Sequence, residues 1–436
     1  MTDDETRFAL PKGTRDVMPE RMILKNRLLD KLRATFEKYG FNPLETPALQ
    51  RTDVLSLKYA GGAEILKETF RLEDQGGRKL GLRYDLTVPL SRLVAESRSL
   101  PKPFKRYELG VVWRDGPLKA GRYREFYQCD VDVVGPESMV ADAEFIAITE
   151  DIFEQLGLDI VIHVNNRKLL SGIMELAGVP SEKTSSTILA VDKLLKIGKE
   201  GVEKELAGKG IDKKAVKKLM DLLATKENGA KLLSKLEKEV ENPLAQEGIR
   251  ELKQLFSYIG EFGVKEKNVF FEASLARGLE YYTGTVFEAF LKDKSRISSS
   301  LAGGGRFDKM IGAFAGTGDK VPAVGISFGL ETIMDALAKD ESQKTVVRVL
   351  VIPIGALEYA LQVASTLRKA GINTDIDLMG RGLSKNLTFA SNASIHYAAI
   401  VGEREAKEGC VMLKDLKSGK QEKVIASKLI ALLKER

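Results

Sequence analysis

The residues best placed to do chemistry gather in FEASLARGLEYYTGTVFEAF, the stretch from Phe271 to Phe290. Inside apolar, strand-like sequence it carries Arg277, Glu280 and the adjacent pair Tyr281 and Tyr282. The spacing predicts Arg277 between Leu275 and Leu279 on one face of a strand. A guanidinium buried there needs an anion, because an unpaired buried charge is strongly unfavourable. That anion is either an Asp or Glu elsewhere in the core, or a ligand carboxylate or phosphate matched by the planar fork. The two phenols both donate and accept, which suits them to orient a polar ligand or to pack in a core. The following TVFEAF alternates: Val286, Glu288 and Phe290 share one face, and Thr285, Phe287 and Ala289 the other.

Other extended segments also set polar groups inside hydrophobic sequence. KETFRLED and KLGLRYDLTVPLSRLVA read as two strands, the second running into a helix after Pro89, with Asp85 and Thr87 on one strand face. Arg106 to Gly135 reads as a hairpin with a long loop between Trp113 and Gly121. Its return strand puts Gln128, Asp130 and Asp132 on one face and Cys129, Val131 and Val133 on the other. A polar face of that kind is either solvated or part of a site. Arg114, Arg122 and Arg124 flank the loop, as exposed charges or as phosphate ligands at its two ends. Gly303, Gly304 and Gly305 make either a turn or a place where backbone approaches a ligand closely.

The elements that must hold these groups follow the hydrophobic periodicity. A helix is predicted over 20–38, with Leu28, Leu32 and Phe36 one turn apart and Gly40 at its C-cap. FNPLETPAL is extended, and a polar turn follows with Gly61 and Gly62. A helix at 139–158 leads to the strand DIVIHVNN. From 167 to 261 the sequence turns to lysine-rich amphipathic helices that look inserted. Lys213, Lys214, Lys217 and Lys218 share a side, either a solvated helix face or a contact with nucleic-acid phosphates. Strand-like sequence resumes at NVFFEASLARGLEYYTG. The polar stretch 338–345 reads as a linker, and 346–436 alternates strands and helices as a compact α/β domain around a mixed sheet.

Composition narrows the chemistry. The chain has 436 residues, 43% hydrophobic and 30% charged, enough for two or three domains with their own cores. No run approaches a membrane span, and the acidic N-terminus lacks a signal-peptide pattern. Cys129 and Cys410 form neither a disulfide framework nor a metal-ligand spacing, so a reducing cytoplasm is expected. With only two histidines, His163 and His396, histidine-rich metal sites and histidine general bases are disfavoured. The net charge of +6 is compatible with a polyanionic partner. There is no GxxxxGK[ST] loop and no GxGxxG at a strand–helix junction.

LPKGTRDVMP, LRYDLTVPLSR, WRD with GRYREFYQCDVD, LARGLEYYTG, AGGGRFD, PAVGISFGLE and IVGEREAKEG together resemble the histidyl-tRNA synthetase family across the whole chain. DLT and REFYQCD are closest in style to its archaeal and eukaryotic branch. The resemblance implies an α+β class II synthetase core, an antiparallel sheet flanked by helices, over 1–337 with a helical insertion at 167–261. It also implies a C-terminal α/β anticodon-binding domain at 346–436. The implied activity is ATP-dependent ligation of histidine to its tRNA through histidyl-adenylate, by a cytoplasmic homodimer using ATP with Mg²⁺ and no fixed protein metal site.

The resemblance assigns Arg114 and Arg277 to the reacting carboxylate and phosphate. It gives Asp85, Thr87 and Gln128 to the α-ammonium, and Asp132, Tyr281 and Tyr282 to the imidazole. Gly303, Gly304, Gly305 and Arg122 fall to ATP. Two positions depart from the family pattern. The second class II motif reads Arg114-Asp115-Gly116 where Arg-x-Glu is usual, and Thr332 stands where the third motif carries an arginine. These departures are compatible with a non-catalytic paralogue acting as a regulatory subunit of ATP phosphoribosyltransferase. A general RNA-binding module is a third reading, opposed by aromatics at 7% and intact site motifs.

Overall fold

The computed structural model describes residues 9–57, 66–97, 99–118, 123–223, 229–277, 281–337 and 344–435. The expected positions Gly61, Gly62, Gly121, Arg122, Gly278, Leu279, Glu280 and most of the linker 338–345 lie outside them. Two compact units result, Met1–Arg15 with Leu28–Leu337, and Asp16–Arg27 with Ala338–Arg436.

The first unit is built on an eight-stranded sheet in the order β1-β5-β6-β11-β10-β9-β7-β8. The strands are β1 (Asn42–Pro43), β5 (Phe104–Trp113), β6 (Glu125–Val134), β7 (Ile160–Asn166), β8 (Val269–Phe271), β9 (Thr285–Leu291), β10 (Ala302–Arg306) and β11 (Ala323–Gly329). Only β1 with β5 and β7 with β8 pair in parallel; the other neighbours are antiparallel. A separate three-stranded sheet joins β2 (Leu49–Arg51), β4 (Lys79–Leu82) and β3 (Arg71–Glu73).

Period-two alternation decides what each face of the large sheet does. Phe328 of β11 stands opposite Cys129 of β6, and Phe287 of β9 opposite Gly304 of β10. On that side Phe328 meets Phe36 and Phe153 with ring centroids 5.7 and 6.0 Å away, and Phe287 meets Phe145 at 6.4 Å. Phe36 comes from the Pro19–Lys38 helix, whose Leu28 and Leu32 are buried too. Phe145 and Phe153 come from the Met139–Gln155 helix, capped by Ser138, whose side chain accepts from Val140 N. Two helices thus seal the apolar face, and the polar residues of the same strands are turned to the other side.

Between β7 and β8 most of the described residues are helical. Arg167–Ala177 and Pro243–Glu261 are tied to the sheet unit: Asn166 caps the former, and its amide nitrogen donates to Glu251 of the latter at 2.8 Å. Lys168 pairs with Glu247 and Glu251. Between them lie Thr184–Val191, Leu194–Gly208, Lys213–Leu223 and Gly229–Glu239. Lys213–Leu223 buries Ala215, Val216, Leu219, Met220 and Leu223, so its lysines Lys213, Lys214, Lys217 and Lys218 are exposed.

The second unit holds a five-stranded sheet, β13 (Thr374–Ile376), β12 (Val349–Ile354), β14 (Tyr397–Gly402), β15 (Cys410–Asp415) and β16 (Gln421–Ile425). β12 runs parallel to β13 and β14, and the remaining pairs are antiparallel, the mixed sheet expected from sequence. Val349 and Val351 enter one apolar cluster with the Leu357–Lys369 helix, while Leu350 and Ile352 enter another with Ala390. Burial on both faces is why VLVI reads as a continuous hydrophobic run. β16 was not foreseen, because it is an edge strand with four of its five residues exposed and lacks the alternation of a half-buried strand.

Candidate active site

Directly paired residues of antiparallel strands share a face, so the register alone assembles the polar side of the large sheet. Asp132 lies between Arg106 of β5 and Gly325 of β11, and Asp130 between Glu108 and Ser327. Gln128 falls between Gly110 and Gly329. Gly303 and Gly305 of β10 continue the face opposite Ser327 and Gly325, and Glu288 and Val286 of β9 follow opposite those glycines. Asn165 of β7 stands opposite Val286.

This face is buried rather than solvated. Asp130 and Asp132 are each 3% exposed, Asp85 is 4% and Arg106 is 1%. Arg106 pairs with Asp132 at 2.9 Å and donates to Leu86 O at 2.9 Å. Arg83 pairs with Glu108 at 2.8 Å and also donates to Val111 O. Gln128 donates to Ser327 Oγ at 3.0 Å. Arg83 and Arg106 therefore face four buried carboxylates, those of Asp85, Glu108, Asp130 and Asp132. Asp85 Oδ2, Asp130 Oδ1 and Gln128 Oε1 are buried and accept no hydrogen bond among the described residues. An excess of buried acceptors calls for a cationic or multiply donating ligand.

The electrostatics express the same excess. Burial pushes the Asp85 carboxyl up to about 6, against the Val88 backbone N–H and Arg114, which favour its ionised form. Asp130 is raised by burial and then by the Asp132 charge, and Asp132 is raised by burial despite Arg106. Burial also raises both Tyr281 and Tyr282. Tyr281 is sensitive to Asp85, and Tyr282 to Asp130 and Asp132, so these groups form one electrostatic cluster. Tyr281 and Tyr282 pack with ring centroids 4.7 Å apart.

Several expectations about local structure are corrected. Arg277 is in no strand: β8 ends at Phe271, and Arg277 has φ 50°. A non-glycine residue held there is strained, and such strain concentrates at functional sites. Glu288 on this face lies 4.0 Å from its Nη1, which donates to Phe287 O at 3.3 Å. Neither Asp85 nor Thr87 is in a strand. The Thr87–Glu96 helix starts two residues before Pro89, and Asp85 Oδ1 accepts from Val88 N at 2.9 Å, satisfying a helix-start donor. Gly303, Gly304 and Gly305 form no turn but the middle of β10, paired on both sides. A Cβ on Gly303 would lie 1.6 Å from Arg277 Nη1, and one on Gly325 would lie 1.9 Å from Asp132 Oδ1. These strands carry glycine because charged side chains lie flat across them.

Arg114 donates from Nε to Tyr84 O at 3.0 Å, with its guanidinium carbon 5.1 Å from the Phe126 ring centroid. Arg124 pairs with Asp115 at 3.1 Å. Arg15 pairs with Glu331 at 3.5 Å and lies over the Tyr123 ring, next to the segment bearing Thr332. Sequence reading missed Arg83, Arg106, Glu108 and Ser327, whose pairing is visible only in the register. It also missed the clamp on the Arg277 loop: Asn165 Nδ2 donates to Ala273 O and Leu275 O, and Arg167 Nη1 to Ala276 O. Among the described residues no group of three or more His, Cys, Asp or Glu side chains is disposed to hold a metal ion.

Comparison with known proteins agrees with this architecture. Residues 13–333 match the histidyl-tRNA synthetase family, and residues 347–436 match an anticodon binding domain. Histidine--tRNA ligase 1 of Bacillus cereus is 46% identical over 420 residues, covering 96% of this chain and 97% of that protein. The crystal structure of histidyl-tRNA synthetase from Nostoc sp. aligns with a TM-score of 0.85 at 33% identity, covering 99% of each chain. A structure described as an ATP phosphoribosyltransferase regulatory subunit/histidyl-tRNA synthetase, from Bacillus halodurans, shares the fold with a TM-score of 0.74 at 22% identity. It covers 91% of this chain and 98% of its own. With a family match over residues 13–333 and near-complete coverage of a 46% identical relative, this chain belongs to the histidyl-tRNA synthetase family.

Proposed function

We propose that the polar face of the large sheet binds histidine and ATP and joins them as histidyl-adenylate. The chain is an ATP-dependent histidine–tRNA ligase, and the buried acid cluster beside Tyr281 and Tyr282 is the observation that carries the site assignment. In the first step the histidine carboxylate attacks the α-phosphate and pyrophosphate leaves. In the second, the terminal ribose hydroxyl of the tRNA attacks the adenylate carbonyl and AMP leaves. The first nucleophile is already ionised, so the work is alignment and neutralisation of charge at phosphorus.

Arg114 and Arg277 take that charge, and ATP brings Mg²⁺ with its phosphates. Asp85, Thr87 and Gln128 hold the α-ammonium, which donates hydrogen bonds to Asp85 Oδ2 and Gln128 Oε1. Asp132 with Tyr281 and Tyr282 reads the two imidazole nitrogens, and the phenols can donate to one while a carboxylate accepts from the other. Gly303, Gly304 and Gly305 let the nucleotide approach the sheet, with Arg122 as a further phosphate ligand. The assembly proposed is a cytoplasmic homodimer. Among the described residues no helix is long and apolar enough to cross a membrane. Incubating the full chain with ATP, labelled histidine and histidine tRNA should give charged tRNA. A regulatory paralogue would give none.

Histidine binding should depend on pH with a fixed sign. The Asp85 carboxyl, raised to about 6, is protonated below that pH and cannot take the ammonium as a charge partner. KM for histidine should fall as pH rises from 5.5 to 7.5, and Asp85→Asn should flatten that part of the profile. The same raised value destabilises the ligand-free fold as pH rises through about 6, because the buried charge is then unpaired. Histidine should therefore protect against thermal unfolding more at pH 7.5 than at pH 5.5. An unchanged profile in Asp85→Asn would remove Asp85 from this role.

The insertion is proposed to contact tRNA. A groove of about 330 Å³ there is lined by Lys214, Lys217, Lys218 and Lys235 with Asp221 and Leu222, a set suited to backbone phosphates. Because the Arg167–Ala177 and Pro243–Glu261 helices brace the Arg277 loop and β7, the informative deletion is residues 181–240. That deletion should leave pyrophosphate exchange within about threefold and lower charging by ten-fold or more, the scale of two or more lost phosphate contacts. Loss of both activities in a folded variant would place the insertion in the adenylation site.

A further inference from the structure

Gly116 leaves the second class II motif without an acid at its third position, yet the structure puts a carboxylate there. Glu68, from the segment before β3, reaches the Arg114–Arg124 loop. A Cβ built on Gly116 would lie 2.8 Å from Glu68 Oε1, 2.9 Å from its carboxyl carbon and 3.1 Å from Oε2. The Glu68 carboxylate thus occupies the space in which a side chain of residue 116 would begin. The backbones are tied as well, since Asp115 N donates to Glu68 O at 2.7 Å. The one acid the loop itself carries, Asp115, is engaged by Arg124 at 3.1 Å.

We propose that Glu68 supplies the loop's missing carboxylate and accepts a hydrogen bond from the 6-amino group of an adenosine bound beside Arg114. This rests on the ligase reading above. An ionised carboxylate only accepts, so it selects donors, and the adenine base offers no exchangeable donor except its 6-amino group. Arg114 and Glu68 flank the same turn of backbone, one suited to phosphate and the other to the base of the same nucleotide. Two adenosines visit this reaction, that of ATP and that at the tRNA end, and both present this amine.

The test replaces the donor and the acceptor in turn. Wild type, Glu68→Ala, Glu68→Gln and the double variant Glu68→Ala/Gly116→Glu are assayed for histidine-dependent pyrophosphate release, with ATP and with purine riboside triphosphate, which lacks the amine. Charging is then compared on tRNA ending in adenosine or in purine riboside. Wild type should prefer the amine by about 10- to 100-fold in kcat/KM, the range of one hydrogen bond to a charged group. Glu68→Ala should lose that preference, and Glu68→Gln most of it. Gly116→Glu in the Glu68→Ala background should restore it from the other strand of the contact, which a purely structural role for Glu68 would not allow. KM for histidine should be unchanged throughout.

Lost preference in pyrophosphate release assigns the contact to ATP, and lost preference in charging alone assigns it to the tRNA end. If Glu68→Ala keeps the wild-type preference in both steps, the inference is overturned. If wild type itself releases no pyrophosphate with histidine, the ligase reading falls instead.

Discussion

Arg277→Ala should lower kcat for histidine-dependent pyrophosphate exchange by about 10²- to 10³-fold while leaving KM for histidine nearly unchanged. The expectation comes from where Arg277 sits. Its backbone is held at φ 50° by a loop whose carbonyls are clamped by Asn165 and Arg167. Its guanidinium lies over Gly303, against a half-buried partner, Glu288, that is 4.0 Å away and too distant for a tight ion pair. A cation positioned at such strain, and incompletely neutralised, is poised for charge that develops in the transition state.

The glycine beneath gives a second route to the same result. Gly303→Ala would set a methyl 1.6 Å from Nη1, so the arginine tip must move although Arg277 itself remains. Exchange should fall at least ten-fold with little change in thermal stability, since the far end of a flexible side chain is what gives way. A variant of Arg277 that raised KM for histidine and spared kcat would instead make Arg277 a ground-state binding group.

Arg306→Met should cost about 3–5 kcal/mol of stability. Arg306 is 2% exposed; it is ion-paired to Asp142, which is fully buried, and lies 3.4 Å from Asp308. Its Nη1 also donates to Pro136 O at 3.0 Å, so one side chain holds the start of the Met139–Gln155 helix against β10. Removing it leaves Asp142 as an uncompensated buried charge, and burial already raises that carboxyl. The sign with pH follows. A raised carboxyl contributes stability below its unfolded value and loses it as pH rises, so the deficit of Arg306→Met should be smaller at pH 5 than at pH 8. Chemical denaturation at both pH values measures it. Asp142→Leu combined with Arg306→Met should recover part of the loss, because the pair is then removed together.

Much of this site was legible where a period-two pattern carries the information. Gln128, Asp130 and Asp132 fall on one face of β6 by simple alternation, as do Val286 and Glu288 in β9. What alternation does not say is which face is covered. The polar side of β6 reads as solvated until the buried tyrosines and the helix start at Asp85 are placed over it. Arg277 was misjudged as strand because LAR and LEYY carry strand-like residues, whereas its positive φ is imposed by hydrogen bonds from Asn165 and Arg167, over a hundred positions earlier in the chain. The glycine triplet was open to a turn because glycine weakens strands; in β10 the Arg277 side chain lies across Gly303, while neighbouring backbone fills the space beside Gly304 and, with Tyr282, beside Gly305. Glu68 against Gly116 joins two segments that share no local pattern at all.

The neighbour described as a regulatory subunit/histidyl-tRNA synthetase shares this fold at 22% identity, so fold does not separate catalysis from regulation. The buried acids can hold histidine in either case, so the reaction itself is what separates the two. The most direct measurement is ATP–pyrophosphate exchange by the purified full chain across the amino acids. Exchange stimulated by histidine alone, and reduced by Asp85→Asn and by Arg277→Ala, is the predicted result. A folded chain that binds histidine yet supports no exchange would contradict the account.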